Sequence, residues 1–377
     1  MSTAIPRPRS AWVEVDLGAL AHNIRQIRTE LPAGVRLLFV AKDGAYGLGA
    51  VEAARTALAH GASQLAVFTL GEAAELRDAG ITAPILLLGE RLVPELDHVV
   101  DLDLEPCVGR LDNARELGQR GQARGRAIPI HIKINTGMNR FGFGWREADR
   151  WAADLATLPG LNFAGALSHF AQSDELEKSF ARVQQQRFEQ CLEALARHGI
   201  RPRQIHHCNS GGFLDLPEAH FDTVRVGLLA QGVYPSSVCR RLPDLRPVMS
   251  VKARITAIQD LEPGDTVGYG MRWTAPRPSR IGVLALGYGD GYPRLRNEGQ
   301  VLVQGRRVPL VGGVTMDALM IDLTDLPHAD VGDEAVLLGR QGAEEITAHE
   351  IAQWKRSVSY DVLTGWRARL PRLYREG

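Results

Sequence analysis

Short apolar segments alternate with helical patterns along roughly the first 240 residues of the chain. Eight of these segments are typical of buried strands, because they are short and rich in aliphatic residues. They cover residues 37–41, 64–69, 83–88, 102–108, 128–134, 161–167, 204–208 and 223–227. Apolar residues at helical spacing separate most of them, as in residues 50–59, 72–79 and 180–197. This alternation predicts an α/β fold, and eight strands favour a (β/α)8 TIM-type barrel over an open doubly wound sheet.

The fifth predicted strand indicates which way its two faces point. Isoleucines occupy its even positions from Ile128 to Ile134, whereas Pro129, His131 and Lys133 lie between them. Successive side chains of a strand point to opposite faces. We therefore expect the isoleucines to face the helices and the polar side chains to face the barrel interior.

The pattern changes after about residue 240. Apolar and polar residues alternate over residues 249–258, and further short strand-like segments follow at 281–286, 301–303, 308–311, 319–323 and 334–338. We predict two domains, a barrel over residues 1–240 and a C-terminal, mostly β domain over residues 241–377, with the boundary between 235 and 247. A separate strand-like piece at residues 12–15 precedes Asp16, a candidate cap for the first helix.

Composition and charge exclude several classes of protein. Lys+Arg and Asp+Glu number 44 each, so no basic surplus indicates a nucleic-acid partner. No apolar run approaches the roughly 18 residues that cross a bilayer, and the N-terminus lacks the apolar core of a secretory signal. The cysteines Cys107, Cys191, Cys208 and Cys239 have neither CxxC nor zinc-ligand spacing. We therefore expect a cytoplasmic protein with no membrane partner, no disulfide framework and no metal.

The first barrel strand ends at Lys42, which is the strongest candidate for chemistry. A glycine-rich segment containing Tyr46 follows it, and glycines allow the backbone to approach a ligand closely. Burial disfavours an ammonium and lowers its pKa, which is how catalytic and Schiff-base lysines arise. A lone lysine at a strand end could equally extend its amine into solvent. Tyr46 favours the functional interpretation, because its hydroxyl can bind a phosphate or a reacting group.

Other polar residues gather where predicted barrel strands end, which is where barrel active sites lie. Residues 135–140 follow the fifth strand, His169 follows the sixth, and Arg225 lies near the end of the eighth. The loops after the seventh and eighth strands, where barrels commonly bind phosphate, contain Ser210 and Gly227. These positions predict a phosphorylated ligand near a lysine, although Asn-Ser-Gly-Gly by itself is also typical of a plain turn.

The motifs of this chain resemble those of the alanine racemase family over nearly its whole length. The segment Ala-Lys-Asp-Gly-Ala-Tyr-Gly-Leu-Gly at residues 41–49 is similar to the cofactor-lysine signature of that family. Further motifs follow in the family's order, at residues 136–140, 209–210, 225–227, 268–270, 287–291 and 316–317. The resemblance implies a barrel followed by a β domain, the cofactor pyridoxal 5'-phosphate, and a homodimer in which each β domain contributes to the partner subunit's active site.

The resemblance also implies roles for individual residues. Lys42 would carry the cofactor as a Schiff base, and Tyr269 would reach in from the second subunit as the opposing acid or base. The positions implied to bind the cofactor are Lys42, Tyr46, His169, Asn209, Ser210, Arg225, Gly227, Leu228 and Tyr360. Arg140 and the backbone N–H of Met316 match contacts to the carboxylate of a small amino-acid substrate. Lys133 matches a lysine that is carbamylated in many members.

The implied activity is that of an isomerase that interconverts L-alanine and D-alanine, supplying D-alanine for peptidoglycan. Racemisation removes an α-proton and returns one to the opposite face. One base on each face, Lys42 and Tyr269, is the simplest arrangement. Arg225, which is always protonated, would favour an unprotonated cofactor ring and so limit leakage into transamination.

Three departures from the family pattern bear on substrate preference. Asn135 stands where the family usually has aspartate, Gln231 replaces a tyrosine, and Gly313 replaces an arginine. A broad-spectrum racemase, or one for serine or lysine, is therefore the main alternative. A decarboxylase of the same plan and a cofactor carrier without catalysis are further alternatives. The β domain and Tyr269 disfavour the carrier, because a carrier needs no second base. Tyr269 and the motif at Met316 favour the racemase over the decarboxylase.

Overall fold

The structure is a computed structural model, and it describes residues 9–376. The strands are β1 (Ala11–Asp16), β2 (Arg36–Val40), β3 (Gln64–Val67), β4 (Ile85–Leu87), β5 (Glu105–Val108), β6 (Ile128–Asn135), β7 (Phe143–Gly144), β8 (Leu161–Leu167), β9 (Gln204–His206), β10 (Thr223–Val226), β11 (Met249–Leu261), β12 (Thr266–Val267), β13 (Trp273–Thr274), β14 (Ser279–Leu284), β15 (Gln300–Val303), β16 (Arg306–Val311), β17 (Leu319–Asp322), β18 (Glu334–Gln341), β19 (Glu344–Ile346) and β20 (Arg372–Arg375). The α-helices are α1 (Leu17–Thr29), α2 (Ala50–Ala59), α3 (Leu70–Asp78), α4 (Leu96–Asp101), α5 (Leu111–Ala123), α6 (Ala148–Ala156), α7 (Ser179–Arg197), α8 (Ser210–Asp215), α9 (Ala348–Lys355) and α10 (Ser359–Leu363). Short 3-10 helices cover Val93–Glu95, Trp145–Glu147, Pro217–Ala219, Leu228–Gln231 and Tyr288–Asp290.

These elements form two compact units. One comprises Leu20–Ala45 and Ala50–Leu245, and the other comprises the described residues up to Ala19, Tyr46–Gly49 and the residues from Arg246 onward. The second unit includes β1 because β1 pairs antiparallel with β11 and parallel with β20. The sequence pattern assigns this strand to the N-terminal domain, because it carries no information about partners so far along the chain.

The first unit is a parallel barrel. Its strands follow the order β10-β2-β3-β4-β5-β6-β8-β9, each parallel to its neighbours. Two backbone hydrogen bonds join the chain around β9 and β10, from Asp222 N–H to Ile205 O (3.0 Å) and from Arg225 N–H to Cys208 O (3.3 Å). These bonds nearly close the barrel. The predicted (β/α)8 TIM-type barrel is therefore confirmed, and the open doubly wound sheet is excluded.

The apolar and polar side chains of β6 lie on opposite faces of the strand, as predicted. Its isoleucines are at most 2% exposed and belong to a core cluster with Leu117 of α5, Trp151 of α6 and Phe188 of α7. Burying each isoleucine contributes about 1.5–3 kcal/mol. His131, on the other face, is fully buried in the barrel unit. A register slip of one residue would place polar side chains in the apolar cluster, so the alternation specifies the register.

The second unit is built on one large sheet with the order β19-β18-β15-β16-β17-β14-β11-β1-β20. Its longest described strand, β11, has 13 residues and pairs antiparallel with β1, β14 and β18. Shifts of register near Val251 and Ile255 accompany the change of neighbours along β11. Strands β12 and β13 form a separate two-stranded hairpin. This unit is the mostly β domain that the sequence predicts.

Asp16 caps helix α1, as predicted. Its Oδ1 accepts a hydrogen bond from Ala19 N–H at 2.7 Å. That bond satisfies one of the N–H groups that have no partner within the first helical turn. Over residues 9–376, no helix combines the length and the apolar character that a membrane crossing requires.

Candidate active site

β2 ends at Val40, Lys42 follows after Ala41, and the chain after the lysine turns in the left-handed sense. The φ angles of Asp43, Gly44, Ala45 and Tyr46 are 53°, 59°, 53° and 55°. A left-handed backbone costs an ordinary L-residue about 1–2 kcal/mol, and only the glycine avoids this cost. The surrounding structure must offset the strain, and strain of this kind is typical of functional sites.

Hydrogen bonds hold both ends of this turn. Ala45 N–H donates to Ala41 O at 2.8 Å, closing the turn on itself. Asp43 N–H donates to Glu72 Oε1 at 2.6 Å. Gln231 Nε2 donates to Ala45 O at 2.9 Å. Side chains from two distant segments therefore fix the backbone that carries the lysine.

The amine of Lys42 is shifted towards its neutral form. Burial is the main reason that its pKa lies below the usual 10.5, and the charge of Arg140 lowers it further. Glu72 and Asp43 act in the opposite direction. The neutral amine is the nucleophilic form of lysine, so a lowered pKa suits a lysine that condenses with a carbonyl group.

Arg225 is 4% exposed, and carbonyl oxygens hold its guanidinium. Nη1 donates to His206 O at 2.9 Å, and Nη2 donates to Ser168 O at 2.8 Å and to His207 O at 3.1 Å. Nη2 also lies 3.1 Å from His169 Nδ1. Burial lowers the pKa of Arg225 to about 10, which is still well above neutrality. Arg225 is therefore a cation held in one orientation.

A chain of hydrogen bonds leads from Arg225 through the barrel interior. His206 Nδ1 lies 3.2 Å from Arg225 Nη1, and His206 Nε2 lies 2.9 Å from His131 Nδ1. His131 Nε2 lies 3.0 Å from Glu105 Oε2. A guanidinium can only donate, so His206 Nδ1 accepts and its Nε2–H donates to His131, which in turn donates to Glu105. Burial and the charge of Arg225 hold the pKa of His206 well below its usual value, so it stays neutral.

A small cavity of about 10 Å³ lies where β6 and β8 end. Lys133, Arg140 and His169 all line it, so the structure brings together three residues that the sequence singles out. Burial and then Arg225 hold the pKa of His169 well below its usual value, so its ring is neutral. Burial and then Arg225 also lower the pKa of Lys133, to about 7.

The loops after β9 and β10 lie side by side. Asn209 caps helix α8, its Oδ1 accepting from Gly212 N–H at 2.9 Å. Ser210 Oγ accepts a long hydrogen bond from Leu229 N–H at 3.4 Å. This contact brings the Ser210 loop against the segment that contains Gly227 and Leu228, the other predicted phosphate positions in the barrel unit.

Tyr46 and Tyr360 come together in the second unit. Their ring centroids are 6.3 Å apart, with the planes tilted by 52°. The next residue, Gly47, has a φ of 89°, and a Cβ at this position would lie 2.5 Å from Leu363 O. Both the backbone conformation and the close approach therefore require a glycine here.

Tyr269 projects from the surface of the second unit. It is 83% exposed and lies between β12 and β13, where the flanking Gly268 and Gly270 both have a φ of 74°. Met316 is also exposed, at 53%. Its carbonyl oxygen accepts a hydrogen bond from Gly289 N–H at 2.8 Å, which links the two C-terminal motifs. Two predicted site residues are thus presented outward by glycine-rich turns.

Two family models match the chain. The N-terminal domain of alanine racemase matches residues 15–235, and the C-terminal domain of alanine racemase matches residues 248–374. The chain belongs to the alanine racemase family. An alanine racemase from Nostoc sp. is 41% identical to it over 371 residues, which are 96% of this chain and 95% of that protein.

Solved alanine racemase structures share this fold. One from Bacillus anthracis, with bound L-Ala-P, matches with a TM-score of 0.92 at 34% identity and covers 99% of this chain and 97% of its own. Another, from Bartonella henselae with covalently bound pyridoxal phosphate, matches with a TM-score of 0.89 at 26% identity and covers 98% of this chain and 100% of its own. These relatives do not favour the broad-spectrum or serine/lysine racemase alternative.

The structure shows what Asn135 does in the loop after β6. Its Oδ1 accepts from Gly137 N–H at 3.1 Å and from Asn139 N–H at 3.0 Å. Its Nδ2 donates to Asn139 Oδ1 at 3.1 Å. An aspartate could accept the first two bonds but could not donate the third. The loop before Arg140 is therefore ordered without a negative charge.

Sequence reasoning missed three residues that position the site, namely Glu72, Glu105 and His206. A signal existed for Glu72, because Thr69 and Glu72 have capping-box spacing and form that motif at the start of α3. For His206 the signal was weaker, a polar residue inside a predicted strand. Nothing local marked Glu105, since its role depends on His131 from the neighbouring strand.

Proposed function

We propose that the protein is a pyridoxal-phosphate-dependent alanine racemase that interconverts L-alanine and D-alanine. The observation that carries this proposal is Lys42, whose pKa is lowered and whose turn is strained, in the same barrel unit as the fixed cation Arg225. When bound, the cofactor supplies an electrophilic carbonyl for a lysine and an electron sink for the charge left by removal of an α-proton.

The donor set of the chain fits such a cofactor. The guanidinium of Arg225 would donate a hydrogen bond to the ring nitrogen without transferring its proton. His169, neutral and flat, would pack on the ring. The groups that would bind the phosphate are the hydroxyls of Tyr46, Ser210 and Tyr360, the N–H groups of Gly227 and Leu228, and the loop that Asn209 caps.

Two residues would move the proton. Lys42 would hold the cofactor and act on one face of the α-carbon, and Tyr269 would act on the opposite face. Arg140 and the Met316 N–H would hold the substrate carboxylate, which fixes the α-hydrogen in line with the bases. Arg225 would limit side reactions, because a ring nitrogen without a proton stabilises the substrate charge less.

The working unit would be a homodimer whose sites each use Tyr269 and Met316 of the partner subunit. The exposure of both side chains supports this, because it leaves them accessible to another chain. A C2 dimer would let each β domain supply the second base to its partner. We further propose a cytoplasmic location, which the free, buried cysteines support, and a role in supplying D-alanine for peptidoglycan.

Lys133 would be carbamylated in the working enzyme. With a pKa of about 7, a large share of its amine is neutral near neutrality and can attack carbon dioxide. The N–C bond forms, the nitrogen releases one proton, and the product is an anion that can pair with Arg140 across the cavity. Incubation with ¹³C-bicarbonate should give a protein-bound carbamate signal that Lys133→Ala lacks, and a signal unchanged in that variant would refute the assignment.

The decisive test of the function uses purified full-length protein and a panel of single-enantiomer amino acids. We expect racemisation and α-deuterium exchange with alanine, well above the rates with serine or lysine. Borohydride reduction should place a pyridoxyl label on Lys42, and Lys42→Ala should lose both the label and the activity. The matched variant Lys355→Ala, in helix α9, should keep both. Release of carbon dioxide, or a label on another lysine, would overturn the proposal.

A further inference from the structure

The strained turn after Lys42 is held by two side chains that the proposed chemistry does not use. Asp43, Ala45 and Tyr46 keep left-handed backbones, a conformation that aspartate adopts occasionally and that alanine and tyrosine disfavour. Within the barrel unit, Glu72 holds the first residue of the turn and Gln231 holds the third. Both supports come from later segments of the chain, Glu72 from α3 and Gln231 from the segment after β10.

Glu72 joins the ends of two neighbouring strands through one carboxylate. Its Oε1 accepts from Asp43 N–H at 2.6 Å, just after β2. Its Oε2 accepts from Phe68 N–H at 2.8 Å and Thr69 N–H at 2.9 Å, just after β3. The capping box at Thr69 fixes the side chain itself. Bonds from both oxygens to two strand ends hold this carboxylate in one orientation.

Gln231 ties the same turn to the segment after β10. It ends the 3-10 helix Leu228–Gln231, is 1% exposed, and donates from Nε2 to Ala45 O at 2.9 Å. The amide can have only this orientation, because the flipped one would place two oxygens against each other. The described residues therefore contribute one hydrogen bond to this buried side chain, the one that it donates to the turn.

We infer that Glu72 and Gln231 are positioning residues for Lys42: both hold its turn, and Glu72 also places a carboxylate against the residue that follows the lysine. The charged groups that act on this amine are Arg140 from the loop after β6, Asp43 in the turn, and Glu72 from α3. Arg140 favours the neutral amine, and the two carboxylates favour the ammonium. This inference rests on the proposed role of Lys42 as the cofactor lysine.

The charge role is tested on full-length protein freed of cofactor. Competitive acetylation across a pH series, read by peptide mass spectrometry, gives the midpoint at which Lys42 loses its proton. Glu72→Gln should move this midpoint to lower pH, because it removes an anion that stabilises the ammonium. Glu75→Gln makes the same charge change at an exposed site on α3 and should leave the midpoint unchanged.

A merely structural role for Glu72 would lower the thermal midpoint of the protein without moving the Lys42 titration. That result in folded Glu72→Gln protein would overturn the charge role. If Glu72→Gln does not fold, Glu72→Asp is the second test, because it keeps the charge but moves it away from the turn by one methylene. It should then shift the Lys42 midpoint in the same direction by less, and an unshifted midpoint would again overturn the inference.

The holding role is tested with Gln231→Met, which keeps the length of the side chain but removes the donor. The carbonyl of Ala45 then stays buried without this partner, and cofactor affinity should fall by about tenfold. The Lys42 midpoint should stay near that of the wild type, since no charge is removed. Gln190→Met, at an exposed position on α7, is the matched control and should bind cofactor normally. Wild-type affinity in Gln231→Met would refute the holding role.

Failure of this inference can be told apart from failure of the proposed function. The acetylation readout needs neither cofactor nor turnover, so it reports on Glu72 even if the wild type does not racemise alanine. Conversely, an active wild type with an unmoved Lys42 midpoint in Glu72→Gln rejects only the charge role.

Discussion

Replacing Lys133 by methionine tests the electrostatics of the barrel interior. Lys133 lies on the inward face of β6, and its pKa falls from the usual 10.5 to about 7. Burial is the main cause and the charge of Arg225 the next. Methionine is unbranched and of similar length, so Lys133→Met removes the amine with little change in packed volume.

The sign of the effect follows from where the proton is bound. Between pH 7 and 10.5, the unfolded chain carries a proton on this lysine that the folded chain has released. The free energy of unfolding of the wild type therefore rises with pH across this window, and the variant lacks this dependence. At about 1.4 kcal/mol per pH unit, the full shift corresponds to at most about 5 kcal/mol. Lys133 is only half-buried as a whole residue, and solvent screening reduces the expected difference to about 2–4 kcal/mol.

Urea unfolding at pH 6.5, 8 and 10 measures this difference, in carbon-dioxide-free buffer and at equal protein concentration. As the pH falls from 10 to 6.5, we expect the free energy of unfolding of Lys133→Met to increase by about 2–4 kcal/mol relative to that of the wild type. Lys355→Met should show no comparable trend. Adding bicarbonate at pH 8 should stabilise the wild type but not Lys133→Met if the carbamate forms. A difference between wild type and variant that does not change with pH would refute the reasoning.

Three further predictions test other parts of the molecule. Mixing inactive Lys42→Ala and Tyr269→Phe chains under subunit exchange should restore activity towards about a quarter of the wild-type level, because each heterodimer has one intact site; exchanged subunits without activity would contradict the shared sites. Glu105→Leu should lower the free energy of unfolding by about 1–3 kcal/mol, since it leaves the buried His131 Nε2–H without its acceptor. Glu105→Gln should lower it by less. Equal losses in urea unfolding would show that the hydrogen bond between His131 and Glu105 does not contribute. Gly47→Ala should destabilise the protein more than Gly34→Ala. Both glycines have a φ near 90°, but only a Cβ at residue 47 would meet a backbone oxygen, at 2.5 Å. Similar unfolding midpoints for the two variants would contradict the close contact.

Periodicity along the chain is sufficient to predict the barrel and the direction of its side chains. The isoleucines of β6 face the helices and His131 faces inward because strand geometry alone alternates the two sets. The same short-range logic predicts that Lys42 ends a strand and that Asp16 caps a helix. These features depend on residues within a few positions of each other, and a sequence states such relations directly.

Only the tertiary structure decides how the lysine is presented. Alanine and tyrosine disfavour left-handed backbone, so Ala45 and Tyr46 contradict local propensity in the turn at residues 43–46. It persists because Glu72 and Gln231, far apart in the chain, offset its strain through hydrogen bonds. The path from Arg225 to Glu105 likewise exists only once strands distant in sequence lie side by side. Strain and buried polar networks depend on partners brought together by folding, and for that reason no local pattern in the sequence reveals them.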